Sequence, residues 1–549
     1  MDSYKVHSDE AYGPEELIKF HGLHLPESAR SFTATKWRPR RNLYIPEVYV
    51  ENKWFKEKIK KKECVHFVRN TDHSESSEEV CCCGNVKSRH VYDKPNITDL
   101  EWDEGKHIEE MATDAFGDFA FAGLRNKKAK YVRASNNTYA TDLYDMMMNQ
   151  WKLRMPNLLI SVIGGAKDVK MNPRLKKRFS KGLLKAAQST GAWIITDGCH
   201  TGVTKIVGEA VRDFSMGGNS CNNSEIVTIG ITTWGTIHKR DSLIRTEKGV
   251  SAEYLLDVDH QGNLSCLDNN HSHFILVDDG KQGKYGVKIP LRTKLEKLIC
   301  GETISKEEFN LKIPIVYLAL EGGPGNLDIQ DIVCNNQKFT ILREDKNGIQ
   351  DMDVAILQAS LKAPQNMDPM GNVNWLKLAV LWNRLDIAKN CVFQSGWNWK
   401  PEDLYPMLTF GLIGNKPDFL QLFLDQGVSL QDYVTQKTLS QLYDNIEPHS
   451  IFHQKLKTLK KGDGNQGGDI LHHVEQVLES LLWKFEKPPY STKQPRDTRP
   501  QSSPSTNGES SPKMEYPIRD LLIWAVVQNR GELAKILWAQ VRSASSSRL

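Results

Sequence analysis

Between Asn157 and Gly325 the apolar residues gather in five short unbroken runs: Leu158–Val162, Ala192–Thr196, Ile226–Thr232, Phe274–Asp278 and Ile313–Leu320. Each is rich in Ile, Val or Leu and is followed by residues that turn tightly. A strand buried on both faces reads this way, because helices cover both sides of a parallel sheet. Between the runs, Pro173–Ala187 and Val203–Phe214 repeat apolar residues at helical spacing. The pattern predicts an α/β Rossmann-like parallel sheet.

In such a sheet the turns after the strands share one edge, where backbone N–H groups and helix N-termini favour an anionic ligand. The candidate site residues at that edge are Gly164 and Gly165, Gly198, Thr201 and Gly202, and Gly322 and Gly323. Any one glycine pair is weak, since it closes a tight turn just as well. Four such turns on one edge, counting Asp278-Asp279-Gly280, carry more weight. The segment from Tyr285 to Arg292 adds a ring that stacks on a base and a guanidinium that grips phosphate bidentately. Spacing alone equally fits a surface tyrosine and a solvated arginine.

Upstream, residues 1–53 are polar, with Arg38, Arg40 and Arg41, and read as a flexible arm. The basic run Lys56–Lys62 reads as a solvated face leading into a strand at Val65–Val68. Thr113–Gly117 and Lys130–Arg133 read as a strand and turn pair, and Leu143, Met146, Met147 and Trp151 as a core stripe. Lys239–Arg245 and Gly249–Asn270 form a long irregular excursion of the kind that serves as lid or contact. His271 and His273 stand at a strand entrance and receive no catalytic role. Cys81-Cys82-Cys83-Gly84, with Cys64 upstream and His90 downstream, offers one zinc knuckle where zinc sites usually show two, so no metal is assigned.

After Gly325 the chain turns helical and repeats itself. Leu378–Ala388, Phe410–Leu420 and Ile523–Ala534 each read as an apolar helix, an Asn-Arg or Asn-Lys turn and a second helix. The first two copies start 32 residues apart, close to an ankyrin-type period. The predicted organisation is therefore an arm (1–53), a Rossmann-like domain with an N-terminal extension (54–325), ankyrin-like helical repeats (326–487), a disordered linker (488–513) and a further repeat (514–549). Lys460–Gly468 also reads as disordered.

Composition narrows the function. The 72 basic and 68 acidic residues nearly balance, so no global field recruits nucleic acid. Ten cysteines without an apolar leader fit a reducing cytosol, and no apolar run is long enough to span a bilayer.

Six stretches carry a family resemblance: Lys62-Glu63-Cys64, Thr113–Gly117, Pro156–Val162, Thr190–Thr196, His271–Gly280 and Pro517–Ala525. Through them the chain resembles the N-terminal cytosolic region of melastatin-type transient receptor potential (TRPM) cation channels, closest to the ADP-ribose-gated subtype. The resemblance implies a SLOG/LOG-like nucleotide-sensing domain and ankyrin-like repeats beneath a tetrameric calcium-permeable pore. It also implies assembly with TRPM subunits on the cytoplasmic side of the plasma membrane, and ADP-ribose contacts at positions including Tyr285 and Arg292. No other cofactor is implied, since calcium regulation would come through channel parts outside this chain.

Three departures bear on that carry-over. Gly325 runs straight into Asn326–Asp331 where the family continues through a further glycine turn, a ligand arginine and helices. Ile163 and Asp197 replace Thr and Gly of the subtype, and Asp197 sets a carboxylate against a phosphate at the same edge. Cys334-Asn335-Asn336 stands where an IQ-like segment beginning at Ile329-Gln330 has basic residues, which counts against calmodulin. Two other functions compete with nucleotide sensing. One is a non-binding truncated isoform that scaffolds full-length subunits. The other is a LOG-like nucleotide hydrolase, whose catalytic glutamate position holds Ile329 here.

Overall fold

The computed structural model describes residues 47–71, 79–90, 101–124, 127–164, 171–216, 226–245, 251–260, 262–304, 311–320, 351–361, 369–395, 398–446, 450–462, 470–481, 489–490 and 514–546. Residues 51–549 group as one compact unit.

All five apolar runs become strands of one sheet: β5 (Leu159–Gly164), β6 (Trp193–Thr196), β7 (Val227–Thr233), β9 (His273–Asp278) and β10 (Ile315–Leu320). The expected strand and turn pair becomes β3 (Phe116–Phe121) and β4 (Lys128–Ser135), antiparallel to one another. With β8 (Ala252–Tyr254) they make eight strands in the order β10-β5-β6-β7-β9-β4-β3-β8, in which β3–β4 is the one antiparallel pairing.

Helices α1 (Glu47–Lys58) and α2 (Glu104–His107) precede β3, and later helices cover both faces of the sheet. Alternate residues of β5 explain this: Ile160 and Val162 enter a core shared with α4 (Pro173–Thr190) and α5 (Gly202–Met216), while Leu159 joins the core beneath α3 (Ala140–Asp145) and α6 (Ile289–Gly301). Leu143, Met146, Met147 and Trp151 lie in that second core, as their spacing predicts. Asn172 caps α4 by accepting from Arg174 N–H, and Gly191 closes it in the left-handed conformation.

Two expectations need correction. The strand entering the domain is β1 (Lys60–Cys64), not Val65–Val68, and it pairs antiparallel with β2 (Ile108–Ala112). Its charges mask it: Lys61 is buried and paired with Glu63 and Asp114 at 2.6 and 2.7 Å, so the basic run is not simply a solvated face. The excursion before β9 is not wholly irregular, and of its two expected roles its described residues take contact rather than lid. It contributes edge strand β8, and buried Tyr254 donates its hydroxyl to His238 O at 2.8 Å while accepting from Leu267 N–H.

The helical region packs directly on the sheet domain. The Met352–Leu361 helix lies so close to α4 that a Cβ on Gly182 would sit 2.5 Å from Met352 Cβ, and Trp382 Nε1 donates to Asn157 O at 3.2 Å. The three repeat copies share one turn geometry. Asn383, Asn415 and Asn529 take φ of 54°, 52° and 54°. In each, the following basic residue donates its N–H back to a carbonyl five residues earlier, at Ala379, Gly411 and Ala525. Their side chains then link the copies: Lys416 reaches Val380 O and Leu381 O of the first, and Arg530 reaches Leu412 O of the second. Cations thus satisfy the orphan carbonyls of the neighbouring helix end.

Lys460–Gly462 close the Ile451–Gly462 helix, so that part of the stretch expected to be disordered is helical, anchored by buried Phe452 and Leu456. Its remainder, 463–468, together with Gly165, Gly322, Gly323, the IQ-like segment and residues 488 and 491–513 of the linker, lies outside the described residues.

Candidate ligand site at the carboxyl edge of the sheet

The chain runs from β5 through β6 and β7 to β9 in one direction and then returns to place β10 on the other side of β5. Strand order therefore reverses between β5 and β10, whose last residues Gly164 and Leu320 stand side by side. Open α/β sheets bind ligands outside the carboxyl ends of strands at such a reversal.

Beside it, Lys288, the N-cap of α6, is followed at four-residue intervals by Arg292 and Glu296 within the helix. The guanidinium of Arg292 is buried and fully committed. Nε donates to Glu296 Oε1 at 2.9 Å, Nη1 to Asp197 Oδ1 at 3.0 Å, and Nη2 to Ser161 Oγ at 2.8 Å and Val162 O at 3.1 Å. Burial opposes its charge, but Glu296 and Asp197 outweigh that and hold its pKa above the ordinary value. Glu296 also accepts from Ser161 Oγ at 2.7 Å and Tyr317 OH at 3.2 Å. Lys288 joins at Asp197 Oδ1, 3.2 Å away. Two cations thus converge on the residue after β6, and a carboxylate of the chain itself stands between them.

Among the described glycines of the expected site, Gly164 and Gly198 answer to packing. A Cβ on Gly164 would lie 2.4 Å from Val203 Cγ2, so glycine there lets α5 close on β5. Gly198 has φ +72° and its Cβ would meet Gly230 Cα at 2.8 Å, which seats the turn on β7. Thr201 carries its carbonyl to Lys205 N–H and opens α5 at Gly202, so an N-terminus does face this edge. Tyr285 does not share the environment of Arg292: it is 63% exposed and donates its hydroxyl to Asn263 O at 2.5 Å.

Sequence reasoning missed two groups. Lys288 was legible in the four-residue spacing from Arg292 once a helix is drawn there. The other is a relay in which Gly198 N–H donates to Thr196 Oγ1 (2.9 Å), Thr196 to His271 Nε2 (2.7 Å) and His271 Nδ1 to Asp268 (3.0 Å), which also accepts from His200 (2.7 Å). Burial alone would raise the Asp268 carboxyl; the two imidazoles bring it to about 2. Thr196 is fully buried and His271 nearly so, which denies a substrate access and leaves the relay to fix the Gly198 turn.

Separately, a groove of about 640 Å³ between α4 and α5 is lined by Lys176, Lys177, Lys181, Lys185, Leu184 and Phe214 among others, and by none of the expected site residues.

The reversal in strand order, the helices on both faces and the following helical region describe a fold with known counterparts. A family model described as "SLOG in TRPM" matches residues 129–369, and one described as "TRPM2-like domain" matches residues 391–549. The chain belongs to the TRPM family. It is 45% identical to transient receptor potential cation channel subfamily M member 2 of Mus musculus, over 90% of this chain and 39% of that protein. Subfamily M member-like 2 of Nematostella vectensis is 30% identical (90% and 37%), and subfamily M member 4 of Rattus norvegicus 27% (91% and 48%). The chain thus spans less than half the length of these relatives. The mouse alignment runs over 593 residues, more than the 549 of this chain, so that relative carries residues with no counterpart here. Among the described residues no helix is long and apolar enough to cross a membrane.

Proposed function

We propose that this chain is the ligand-sensing and assembly region of a calcium-permeable TRPM cation channel, on the cytoplasmic side of the plasma membrane. In this reading it takes an ADP-ribose-type nucleotide at the carboxyl edge and performs no turnover. One observation carries the proposal: Lys288 and Arg292 converge on one point beside the strand reversal and the N-terminus of α5, which is the chemistry of a diphosphate seat. Asp197 already sits in that seat, so a diphosphate must displace it or bind beside it. Parting the half-exposed carboxylate from its two cations and setting a phosphate beside it together cost roughly 1.5–3 kcal/mol, so Asp197 should cost the ligand ten- to a hundredfold in affinity.

Calorimetry with ADP-ribose tests this. Wild-type protein should bind weakly, Asp197→Gly at least tenfold more tightly, and Asp197→Gly/Lys288→Met should fall back. The second reading, a scaffold on full-length subunits that binds no nucleotide, draws support from the carboxylate partners of Lys288 and Arg292. It prevails if Asp197→Gly evolves no heat with ADP-ribose while the chain still co-purifies with channel subunits. Release of ribose 5-phosphate or AMP by the purified chain would instead favour the hydrolase reading.

A further inference from the structure

Cys64, Cys81, Cys83 and His90 bring four metal-ligating atoms within 4.8 Å of one another, in a lobe beside the sheet domain. We propose that they form a zinc site of the Cys₃His type. The sequence shows a single knuckle; the β1–β2 pairing supplies the missing ligand by carrying Cys64, the last residue of β1, to the Cys81–Cys83 turn.

The geometry fits zinc. Tetrahedral zinc with Zn–S of about 2.3 Å and Zn–N of about 2.0 Å sets its ligand atoms roughly 3.5–3.8 Å apart. Cys83 Sγ and His90 Nε2 are already 3.4 Å apart, and the widest separation closes with small side-chain rotations. His90 Nδ1 lies 3.2 Å from Val86 O and donates to it, which fixes the tautomer with the Nε2 lone pair turned to the sulfurs. Backbone and amide donors face those sulfurs: Val68 N–H to Cys81 at 3.4 Å, and Asn85 N–H and Nδ2 to Cys83 at 3.5 Å. Gly84, at φ +85°, turns the chain so that its N–H reaches Cys81 O at 2.8 Å. Soft thiolates with one imidazole select zinc over calcium or magnesium, which want oxygen.

The lobe also needs a staple. Its buried apolar members are the three cysteines and Ile108, with Phe67 and Trp102 partly buried against them, and a core this small does not hold a fold by itself. A metal here would act beyond the lobe. Gln282 N–H donates to Cys83 O at 2.8 Å, and Arg240 Nη2 bridges Asn85 Oδ1 (2.8 Å) and Gln282 Oε1 (3.3 Å). The knuckle therefore holds the loop that leaves β9 at the carboxyl edge.

The test is metal content of the full chain purified without chelator, by plasma mass spectrometry, followed by cobalt exchange. Expected are about one zinc per chain and a thiolate-to-cobalt charge-transfer band. Cys82→Ser should keep both, because Cys82 is not among the four ligands; Cys81→Ser and His90→Ala should each lower metal affinity at least tenfold. If those variants fail to fold, wild type decides. Zinc removal by phenanthroline should open the lobe to protease, and added zinc should restore protection. Wild-type protein with less than about a tenth of an equivalent of zinc and no charge-transfer band with cobalt would overturn the site. A disulfide among these cysteines in freshly prepared protein, or equal metal loss in Cys82→Ser, would do the same.

Discussion

Replacing Arg292 with alanine removes a guanidinium that sequence reasoning assigns to a ligand, but the structure makes stability the larger effect. Arg292 and Glu296 are each under 5% exposed and bonded at 2.9 Å. Removing one partner of such a pair leaves a buried charge without compensation and costs about 3–5 kcal/mol. Glu296 keeps only Ser161 Oγ and Tyr317 OH. The Asp197 contact adds little, since that side chain is 32% exposed and such pairs contribute about 1 kcal/mol or less. Urea unfolding at pH 7, followed by fluorescence of the buried Trp193 and Trp382, should show a midpoint loss equivalent to about 3–5 kcal/mol for Arg292→Ala and about 1 kcal/mol or less for Asp197→Asn. Adding Glu296→Gln to Arg292→Ala should recover at least about 2 kcal/mol, because the uncompensated charge is gone while the amide still meets Ser161 and Tyr317. A loss below about 1 kcal/mol for Arg292→Ala, or a double variant no better than the single, would refute the reasoning. The consequence for binding studies is direct: loss of ligand in Arg292→Ala is not interpretable unless folding is measured beside it.

Arg530→Ala should destabilise by about 2–3 kcal/mol, through loss of its bond to Leu412 O and its stacking over Trp524, and Arg530→Lys should recover part of this, as Lys416 does the same work one copy earlier; thermal denaturation checks both. Asn415→Ala should cost about 1 kcal/mol from its left-handed backbone and Asn415→Gly almost nothing, read in the same assay. Acid stability should show two opposed terms. Burial and Lys130 depress His273 to about 4, so its unfolded form takes up the proton first and stability falls as pH drops from about 6.5 to 4. Burial raises Asp520 to about 6 against the pull of Arg519, so its folded form takes up the proton first and stability rises as pH drops from about 6 to 4. Each amounts to roughly 3 kcal/mol, so the two offset one another in wild type; relative to wild type, His273→Gln should gain stability on acidification and Asp520→Asn should lose it, and the same sign in both would contradict the assignment.

The central sheet was legible because its strands are buried on both faces, which leaves unbroken apolar runs in the sequence. The strands that were missed are those whose neighbours, not their own side chains, determine them. β1 reads Lys-Lys-Lys-Glu-Cys and is a strand only because β2 and Asp114 receive it. β8 is three residues inside a polar stretch, held by the ladder to β3 and the buried ring of Tyr254. The repeats were legible at their turns, since asparagine tolerates the left-handed conformation that ends each first helix. The link from Arg530 to Leu412 O, across 118 residues, has no local signal at all.

The candidate site shows the limit of reading chemistry from glycine. A glycine after a strand marks a place where something comes too close for a Cβ, and sequence cannot say whether that is a phosphate or the protein. At Gly164 it is Val203, and at Gly198 it is the backbone of Gly230. Charge placement discriminates better, because a cation at a sheet edge must find an anion from one source or the other. Lys288 and Arg292 find Asp197. An edge that supplies its own anion is set to respond to a ligand by exchange of partners rather than by simple filling, so affinity there should follow the mobility of one aspartate more closely than the number of glycines around it.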